Sequence, residues 1–360
     1  MSLPPLEQIP PDVVSVDDYE ALARERVDPV IWAYLAGGSA DELTLRENRE
    51  AFGKRRLCPR VLADFSGANT RVELFGRTLP HPILIAPTAF HRLVHPQGEL
   101  ATVLGAAAMD ACMVVSTQAS VSLEDVAAAA RSPLWFQLYI QPDRGFTSEL
   151  IRRAEAAGYE ALVITVDAPV NGLRNREQRA GFRLPPGIEP VNLRGMKSPA
   201  VCSSVFDPAY ESGLPKWKDL AWLKERTKLP VLLKGVLSAE DATLALEAGV
   251  DGLIVSNHGG RTLDTVPSTL EALPRVADQV AGRVPVLMDG GIRRGTDILK
   301  AIALGADAVM IGRPVLHGLA AAGATGVAHV LKILRSELEV AMLLSGRSTL
   351  ASIDRSVLWD

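Results

Sequence analysis

The chain has 360 residues, of which 48% are hydrophobic and 22% are charged, and its formal net charge is -4. This composition is typical of a globular protein with a large core, and the slightly negative charge excludes a general attraction to nucleic acid or to an anionic membrane. No apolar stretch is expected to span a membrane. The three cysteines, Cys58, Cys112 and Cys202, lie far apart without metal-ligand spacing, which predicts a cytoplasmic protein with no metal site.

Residues 1–81 are predicted to form a helical extension that precedes the main fold. Amphipathic stretches begin at Val16 and Pro29, and a third covers residues 41–52. Tyr34 lies just before the Gly37-Gly38 break that ends the second stretch. Taken alone, Tyr34 is equally well interpreted as an ordinary half-buried tyrosine.

From residue 82 onward, short apolar runs alternate with alanine-rich helical stretches. The eight runs cover residues 82–87, 113–117, 135–139, 161–167, 230–235, 252–257, 285–291 and 308–313. The helical stretches between them cover residues 99–111, 123–130, 147–157, 239–248, 268–280 and 296–304. This alternation predicts a (β/α)8 barrel over residues 82–321 of a single domain that spans residues 1–360. An open doubly wound sheet is the alternative, disfavoured because no GxGxxG turn follows the first strand.

Two segments interrupt or follow this alternation. Residues 182–216 are long and irregular, and we interpret them as a mobile flap over an active site. Residues 322–360 are expected to form a C-terminal helix and tail, with a helix over residues 327–344 packed on the outside of the barrel.

The stretch 256–261 (SNHGGR) follows an apolar run and places His258 and Arg261 at the end of a strand. An imidazole exchanges protons near neutral pH, and a guanidinium is shaped to hold a carboxylate. A histidine that caps a turn and an arginine in a surface ion pair are the alternative interpretation. Polar residues end several other apolar runs as well, which favours a polar cavity at one mouth of the barrel.

The last two runs predict a phosphate site. Asp289, Gly290, Gly291 and Arg293 follow the seventh run, and Gly312-Arg313 end the eighth. Glycine amides together with guanidinium groups can hold a dianion, and barrels commonly bind phosphate at this point. Glycines that serve only tight turns are the alternative.

These stretches resemble the FMN-dependent L-2-hydroxy acid oxidase/dehydrogenase family, which includes glycolate, lactate and mandelate oxidases. The similar motifs lie at residues 85–89 (IAPTA), 95–99 (HPQGE), 136–139 (FQLY), 165–167 (TVD), 233–235 (LKG), 256–261 (SNHGGR), 289–293 (DGGIR) and 311–314 (IGRP). The resemblance implies the same barrel, FMN as cofactor, and oxidation of an L-2-hydroxy acid to the 2-oxo acid. It also implies O₂ as acceptor, with H₂O₂ as product, and a homotetramer.

The resemblance assigns the catalytic and substrate-binding roles. His258 is the expected base and Asp167 its carboxylate partner, while Arg174 and Arg261 are expected to hold the substrate carboxylate. Tyr34 and Tyr139 are expected to hydrogen-bond the substrate. Gln118 stands where glycolate oxidase has tryptophan, and with Phe90 it is expected to shape the pocket for the substrate side chain.

The resemblance also assigns the cofactor contacts. Lys234 is expected against one edge of the flavin. The other expected contacts are Ala86, Pro87, Thr88, Ala89, Ser116, Gln137, Thr165, Ser256, Asp289, Gly290, Gly291, Arg293, Gly312 and Arg313. Ala89 matches the oxidases rather than the monooxygenases and membrane dehydrogenases.

Three other functions stay open at this point. A dehydrogenase of the same family would use another electron acceptor. An isomerase of phosphorylated metabolites on the same barrel would bind its substrate at the phosphate loops, although a pair of carboxylate-binding arginines has no use there. A barrel that binds flavin without catalysis is the third.

Overall fold

A closed barrel of eight parallel strands forms the centre of the molecule; the computed structural model describes residues 3–196 and 204–359. The strands are β1 (Ile83–Ile85), β2 (Met113–Ser116), β3 (Leu134–Leu138), β4 (Ala161–Thr165), β5 (Val231–Val236), β6 (Gly252–Val255), β7 (Val286–Asp289) and β8 (Ala308–Ile311). Each strand pairs with the next, and β8 pairs with β1. The predicted (β/α)8 barrel is therefore confirmed, and the alternative open sheet is wrong.

The strands read as continuous apolar runs because both of their faces are covered. Side chains such as Leu84, Val114 and Ile254 fill the barrel interior, whereas their neighbours Ile85 and Val255 pack outward against the helices. A hairpin of Val72–Leu74 and Arg77–Leu79, which was not predicted, adds Leu74 and Leu79 to the interior cluster. The barrel is thus a packed core, so a site has room only at its end.

Thirteen helices surround or extend the barrel in the described part of the chain. They are α1 (Val16–Arg26), α2 (Pro29–Ala36), α3 (Leu43–Lys54), α4 (Glu99–Ala107), α5 (Leu123–Ala129), α6 (Arg144–Ala156), α7 (Asn175–Arg179), α8 (Pro208–Glu211), α9 (Trp217–Lys224), α10 (Ala239–Glu247), α11 (Thr269–Val280), α12 (Gly295–Ala303) and α13 (Arg313–Leu344). The predicted barrel helices are present, with shifted ends. Helix α9 follows β4 and was not predicted, because only eight residues carry its pattern.

Helix α13 confirms one expectation and corrects another. It begins at Arg313, directly after β8, but non-helical angles at Ala322 and Gly323 divide it into two parts. The second part, which ends at Leu344, confirms the predicted helix over residues 327–344, and the first part was not predicted. By length and composition it could also span a membrane, contrary to the expectation that no stretch is long enough. However, 78% of its apolar window is buried inside the protein, so core packing accounts for its composition.

The N-terminal extension lies against the barrel. Helix α1 packs on α13, and the Leu6 amide donates to the Ala321 carbonyl at 2.7 Å, beside the break in that helix. A short antiparallel pair of Arg56–Leu57 and Leu358–Trp359, also not predicted, ties the extension to the end of the chain.

The segment after β4 is less irregular than expected. It contains α7, α8 and a single helical turn at Val191–Leu193, and the ring of Phe182 stacks on Tyr34 with centroids 4.4 Å apart. The segment therefore contacts the N-terminal extension over the barrel mouth. Residues 197–203, with Cys202, lie outside the described residues.

Candidate active site

A cavity of about 720 Å³ opens at the C-terminal ends of the strands. The predicted site residues that line it are Tyr34, Ala86, Pro87, Thr88, Ala89, Phe90, Ser116, Gln118, Gln137, Tyr139, Thr165, Arg174, Lys234, His258, Arg261, Asp289, Gly290, Gly291, Arg293, Gly312 and Arg313. Asp167 and Ser256 are not part of the wall and lie behind it. Residues far apart in sequence meet here because all eight parallel strands end at the same rim.

His258 and Asp167 form a hydrogen-bonded pair at the rim. The Nδ1 atom of His258 lies 2.9 Å from Oδ1 of Asp167. The His258 backbone has a φ of 57°, a left-handed conformation that is strained for a residue with a Cβ, and its amide donates to Ser256 Oγ at 3.1 Å. Because Asp167 accepts from Nδ1, the other ring nitrogen is left to accept a proton.

The charge of Asp167 is stabilised inside the protein. Burial alone would raise the pKa of Asp167, but the hydrogen bond and charge of His258, together with Lys234, outweigh it and lower the pKa. The Oδ2 atom of Asp167 is buried without a hydrogen-bond partner in the described residues. The carboxylate thus acts on the imidazole rather than on a ligand in the cavity.

Replacing Asp167 by asparagine tests this coupling through stability. The folded-state pKa lies below the ordinary value of 3.8, so ionised Asp167 stabilises the fold above that value, and this contribution is lost as the pH falls through the lower folded-state pKa. The difference in free energy of unfolding between the wild type and Asp167→Asn should be largest above about pH 5 and should shrink below about pH 4. Urea unfolding at several pH values measures it. A difference that stays constant over this range contradicts the assignment.

Two guanidinium groups face the cavity next to Tyr34. Nη1 of Arg261 donates to the carbonyls of Tyr34 at 2.6 Å and Gly37 at 2.8 Å, which fixes the side chain and leaves other N–H groups for a ligand. The Arg174 and Arg261 guanidinium carbons lie 6.0 Å and 5.0 Å from the centre of the Tyr34 ring. Burial lowers the pKa of Arg261, but the group stays charged near neutral pH. Two fixed cations are suited to orient a carboxylate.

The hydroxyls of Tyr34 and Tyr139 complete this part of the wall. Burial raises the pKa of both groups, so they stay protonated and can donate hydrogen bonds. Neither hydroxyl has a hydrogen-bond partner among the described residues, which leaves both available to a ligand.

Lys234 and Asp289 form a buried ion pair at 2.9 Å, with 5% and 11% of their side chains exposed. Burial alone would lower the pKa of Lys234, but Asp289 and Asp167 outweigh it and raise the pKa, so the cation persists. Ser256, which we expected to contact the cofactor, is fully buried; its hydroxyl accepts from Lys234 Nζ at 2.8 Å. Ser256 therefore positions Lys234 and His258, because its hydroxyl accepts hydrogen bonds from the Lys234 ammonium and the His258 amide.

Arg313 and Arg293 also line the cavity, and Arg313 donates to the same Gly37 carbonyl as Arg261. Arg313 donates to the carbonyls of Leu35, Gly259 and Gly37, each at 2.9 Å, and no carboxylate in the described ranges lies within ion-pair distance of it. Burial, together with the nearby charges of Arg261 and Arg293, lowers the pKa of Arg313 to about 9. Burial also lowers the pKa of Arg293 to about 10. Buried cations without a full counter-charge indicate a site for an anionic ligand.

The polar atoms of the wall fit FMN. Oδ1 of Asp289 and Nε of Arg293 are buried without a hydrogen-bond partner in the described residues, as a ligand with hydroxyls and a phosphate requires. In another part of the wall, the Gln137 amide links Ser116 at 3.2 Å and Thr165 at 3.0 Å into a polar edge. Thr88 adds a hydroxyl, which is held by His91 at 2.6 Å. His91 itself is buried behind the wall.

Gly291 has a packing role beside the expected phosphate contact, which stays a prediction. A Cβ on Gly291 would lie 1.9 Å from the Asn48 carbonyl oxygen, so the glycine allows α3 to approach β7. Gly291 also lines the cavity, and its amide is not excluded from ligand binding by this packing.

Sequence analysis missed the residues that fasten the extension to the His258 loop. The amides of Asn48 and Asn257 exchange two hydrogen bonds of 2.8 Å, and Asp264 accepts from the amides of Asp41, Leu43 and Thr44 at the start of α3. Single polar residues on a helix carry no signal for such pairing. Glu177 was also missed, although an acid three residues after Arg174 on a helix was a signal for an ion pair.

Comparisons with known proteins agree with this geometry. A family model described as FMN-dependent dehydrogenase matches residues 23–360. A 2-hydroxyacid oxidase of Dictyostelium discoideum is 45% identical over 96% of this chain and 90% of its own, and an L-lactate oxidase of Nostoc sp. is 47% identical over 96% and 98%. The structure of mandelate oxidase with 3,3-difluoro-2-hydroxy-3-phenylpropionic acid is 42% identical, covers 96% of this chain and 98% of its own, and superposes with a TM-score of 0.88. The chain therefore belongs to the FMN-dependent dehydrogenase family and is an FMN-dependent oxidase of 2-hydroxy acids.

Proposed function

We propose that the chain oxidises an L-2-hydroxy acid of the lactate or mandelate type to the 2-oxo acid and uses O₂ as acceptor, which yields H₂O₂. One observation carries the proposal: the His258–Asp167 pair and the two arginines Arg174 and Arg261 meet at the cavity that Lys234, Arg293 and Arg313 also line. A phosphorylated-metabolite isomerase is disfavoured, because it has no use for a second anion site of this kind.

In this proposal, Arg174 and Arg261 bind the substrate carboxylate, and Tyr34 donates a further hydrogen bond to it. Such positioning places the hydroxyl-bearing carbon at a fixed point, which lowers the entropic part of the activation barrier for oxidation of the substrate. Tyr139, which lies near Tyr34 in the same part of the wall, donates to the substrate oxygen.

His258 takes the proton that the substrate loses. Its Nδ1–H stays bonded to Asp167, and the positive charge that develops on the ring is stabilised by that carboxylate. FMN, when bound, supplies the two-electron acceptor for this oxidation. Lys234 holds a positive charge at the cavity wall, where Ser256 and Asp289 fix its ammonium group.

The cofactor contacts divide by chemistry. The polar edge of Ser116, Gln137 and Thr165 would hold the flavin ring, Asp289 the hydroxyls of the side chain, and Arg293 and Arg313 the phosphate. Ala86, Pro87, Thr88 and Ala89, which end β1, would lie along the ring, with the amides of Gly290, Gly291 and Gly312 near the phosphate.

Replacing Arg293 by glutamine should weaken FMN binding without unfolding the protein. Among the residues that the structure describes, the guanidinium donates one hydrogen bond, to the Ile292 carbonyl, and lies 3.9 Å from the carboxylate of Asp17, so few structural contacts are lost. A charge-assisted contact to phosphate contributes about 1.5–3 kcal/mol, so the Kd for FMN should rise by about 10- to 100-fold. Quenching of FMN fluorescence on binding measures it, with Arg335→Gln, in a surface ion pair, as control. An unchanged Kd in Arg293→Gln contradicts the phosphate assignment.

The cavity wall favours a substrate with an apolar side chain. Phe90, Phe182 and Leu193 contribute apolar surface, and Gln118 stands where a larger tryptophan would reduce the space. The relatives are named for small and for aromatic hydroxy acids, lactate and mandelate among them. The shape of the cavity wall therefore decides which of these substrates the chain prefers.

A substrate panel tests the proposal. Glycolate, L-lactate, L-mandelate and 4-hydroxymandelate are compared for flavin bleaching without air and for H₂O₂ release in air. We expect L-lactate or L-mandelate to bleach the flavin fastest and to release H₂O₂ at a matching rate. Bleaching without H₂O₂ release would show a dehydrogenase with another acceptor instead.

We extend the proposal to assembly and location. Val340, Leu343 and Leu344 are exposed near the end of α13, which supports association into a homotetramer. Cys58 and Cys112 are free thiols, which is compatible with the cytoplasm. Light scattering of the purified protein measures the assembly.

A further inference from the structure

Glu177 lies between the two arginines that face the cavity. Its Oε2 atom is 3.2 Å from Nη1 of Arg174 and 3.9 Å from Nη2 of Arg261, and its side chain is only 20% exposed. That oxygen is buried and makes no hydrogen bond in the described residues, so it acts on both guanidinium groups as a point charge. Glu177 also belongs to the cavity wall.

Lys234 and His258 also line the cavity and are already paired, whereas Arg313, which donates to the same Gly37 carbonyl as Arg261, is assigned to the FMN phosphate in the function proposed above. Lys234 lies against Asp289 and His258 against Asp167, each at 2.9 Å. Arg176, next to Glu177 on α7, points instead to Glu42. The carboxylate-binding group thus consists of Arg174, Arg261 and Glu177 and carries one net positive charge.

One net positive charge matches a monocarboxylate. A ligand with a single carboxylate neutralises the group, whereas a second carboxylate on the same small ligand would lie near Glu177 without a cation of its own. Like charges at such distances in a partly buried site repel far more strongly than in water. A repulsive element of this kind selects between ligands that share all other contacts.

We propose that Glu177 sets the charge selectivity of the substrate site, so that it accepts monocarboxylate 2-hydroxy acids and rejects dicarboxylates. The proposal rests on the function proposed above, since it assumes that Arg174 and Arg261 bind the substrate carboxylate. Glu177 is a positioning residue: it acts through the two arginines and not on the reacting atoms.

The test compares two unreactive ligands of the same carbon count, propionate and malonate. Each is titrated into oxidised, FMN-loaded protein, and the shift of the flavin absorption band gives the Kd. The variants are Glu177→Gln, which removes the charge but keeps a hydrogen-bond acceptor, and Glu177→Asp, which keeps the charge. Glu189→Gln is the matched control, because Glu189 is a glutamate of the same segment paired with an arginine at 2.6 Å outside the cavity.

In Glu177→Gln, both ligands should bind more tightly, and malonate should gain about tenfold or more over propionate, because it carries one extra charge. Glu177→Asp and Glu189→Gln should keep the wild-type ratio within about threefold. The ratio of kcat/KM for L-malate to that for L-lactate should rise in the same variant. A purely structural role would change FMN content or both affinities equally, and not this ratio.

A Glu177→Gln ratio equal to that of the wild type overturns the inference, and so does a variant that binds no malonate. These results are distinct from failure of the proposed function, which is judged by the turnover of the wild type. If the wild type oxidises L-lactate but Glu177→Gln keeps the wild-type ratio of the malonate Kd to the propionate Kd, the proposed function stands and only the role of Glu177 is rejected.

Discussion

Replacing His258 by glutamine is expected to lower kcat by about 100- to 10,000-fold, the range that a positioned general base contributes. Glutamine keeps a polar side chain at the rim but cannot accept the proton that the substrate loses. FMN content should stay at the wild-type level, because the imidazole contacts Asp167 and not the phosphate end of the cavity. Steady-state turnover and the flavin-to-protein ratio measure the two effects.

The matched control is His329→Gln. His329 also takes part in a hydrogen bond through Nδ1, to the Tyr19 hydroxyl at 2.7 Å, but it lies on α13 away from the cavity wall. Its replacement should leave kcat within about twofold, in line with surface substitutions. If His258→Gln retains kcat within tenfold while its FMN content is normal, the proton acceptor has been misassigned.

The barrel was predictable from the sequence because its signal is repeated. Runs such as 161–167 and 252–257 are apolar without alternation, which is what a strand covered on both faces requires. Helix α9 and the first part of α13 escaped prediction. Helix α9 is too short for a clear period, and the first part of α13 is a short helix that ends at the break at Ala322 and Gly323.

The site was predictable where residues end strands and match a family motif. His258 follows β6, Lys234 lies in β5, and Arg313 follows β8. The barrel topology alone therefore brings these three residues to one rim. Tyr34 belongs to the N-terminal extension and lines the same cavity wall because of tertiary contacts, which the hydrophobic pattern of the sequence does not predict. The Arg261 and Arg313 hydrogen bonds to the carbonyls of residues 34–37 make those contacts.

The residues that were not predicted act through others. The Asn48–Asn257 pair and Asp264 hold backbone behind the wall, and their residue types are common in any loop or helix. Ser256 lies at the end of β6, where its hydroxyl accepts from Lys234 and the His258 amide, and its contact with the cofactor stays a prediction. Sequence identifies which residues approach a rim, but side-chain direction decides which of them face the ligand.

Replacing Lys234 by methionine should damage both stability and turnover. Methionine keeps most of the volume but leaves the Asp289 carboxylate buried without its cation, which typically costs about 3–5 kcal/mol of the free energy of unfolding. Loss of a fixed cation at the reacting end should lower kcat by about 100- to 1,000-fold. The control is Lys224→Met, whose ion pair with Asp251 has the same length of 2.9 Å but side chains that are 31% and 40% exposed. That variant should lose at most about 1 kcal/mol.

The double variant Lys234→Met/Asp289→Asn separates the two effects. Its side chains are both neutral, so the penalty of an unpaired buried carboxylate disappears, and most of the lost stability should return. Turnover should stay low at saturating FMN, because no cation faces the cavity at this position. Urea unfolding and steady-state kinetics on the wild type, the single variants Lys234→Met and Asp289→Asn, and the double variant measure the coupling. Recovery of turnover together with stability would mean that Lys234 serves only to neutralise Asp289; stability without turnover assigns its charge to the chemistry of the site.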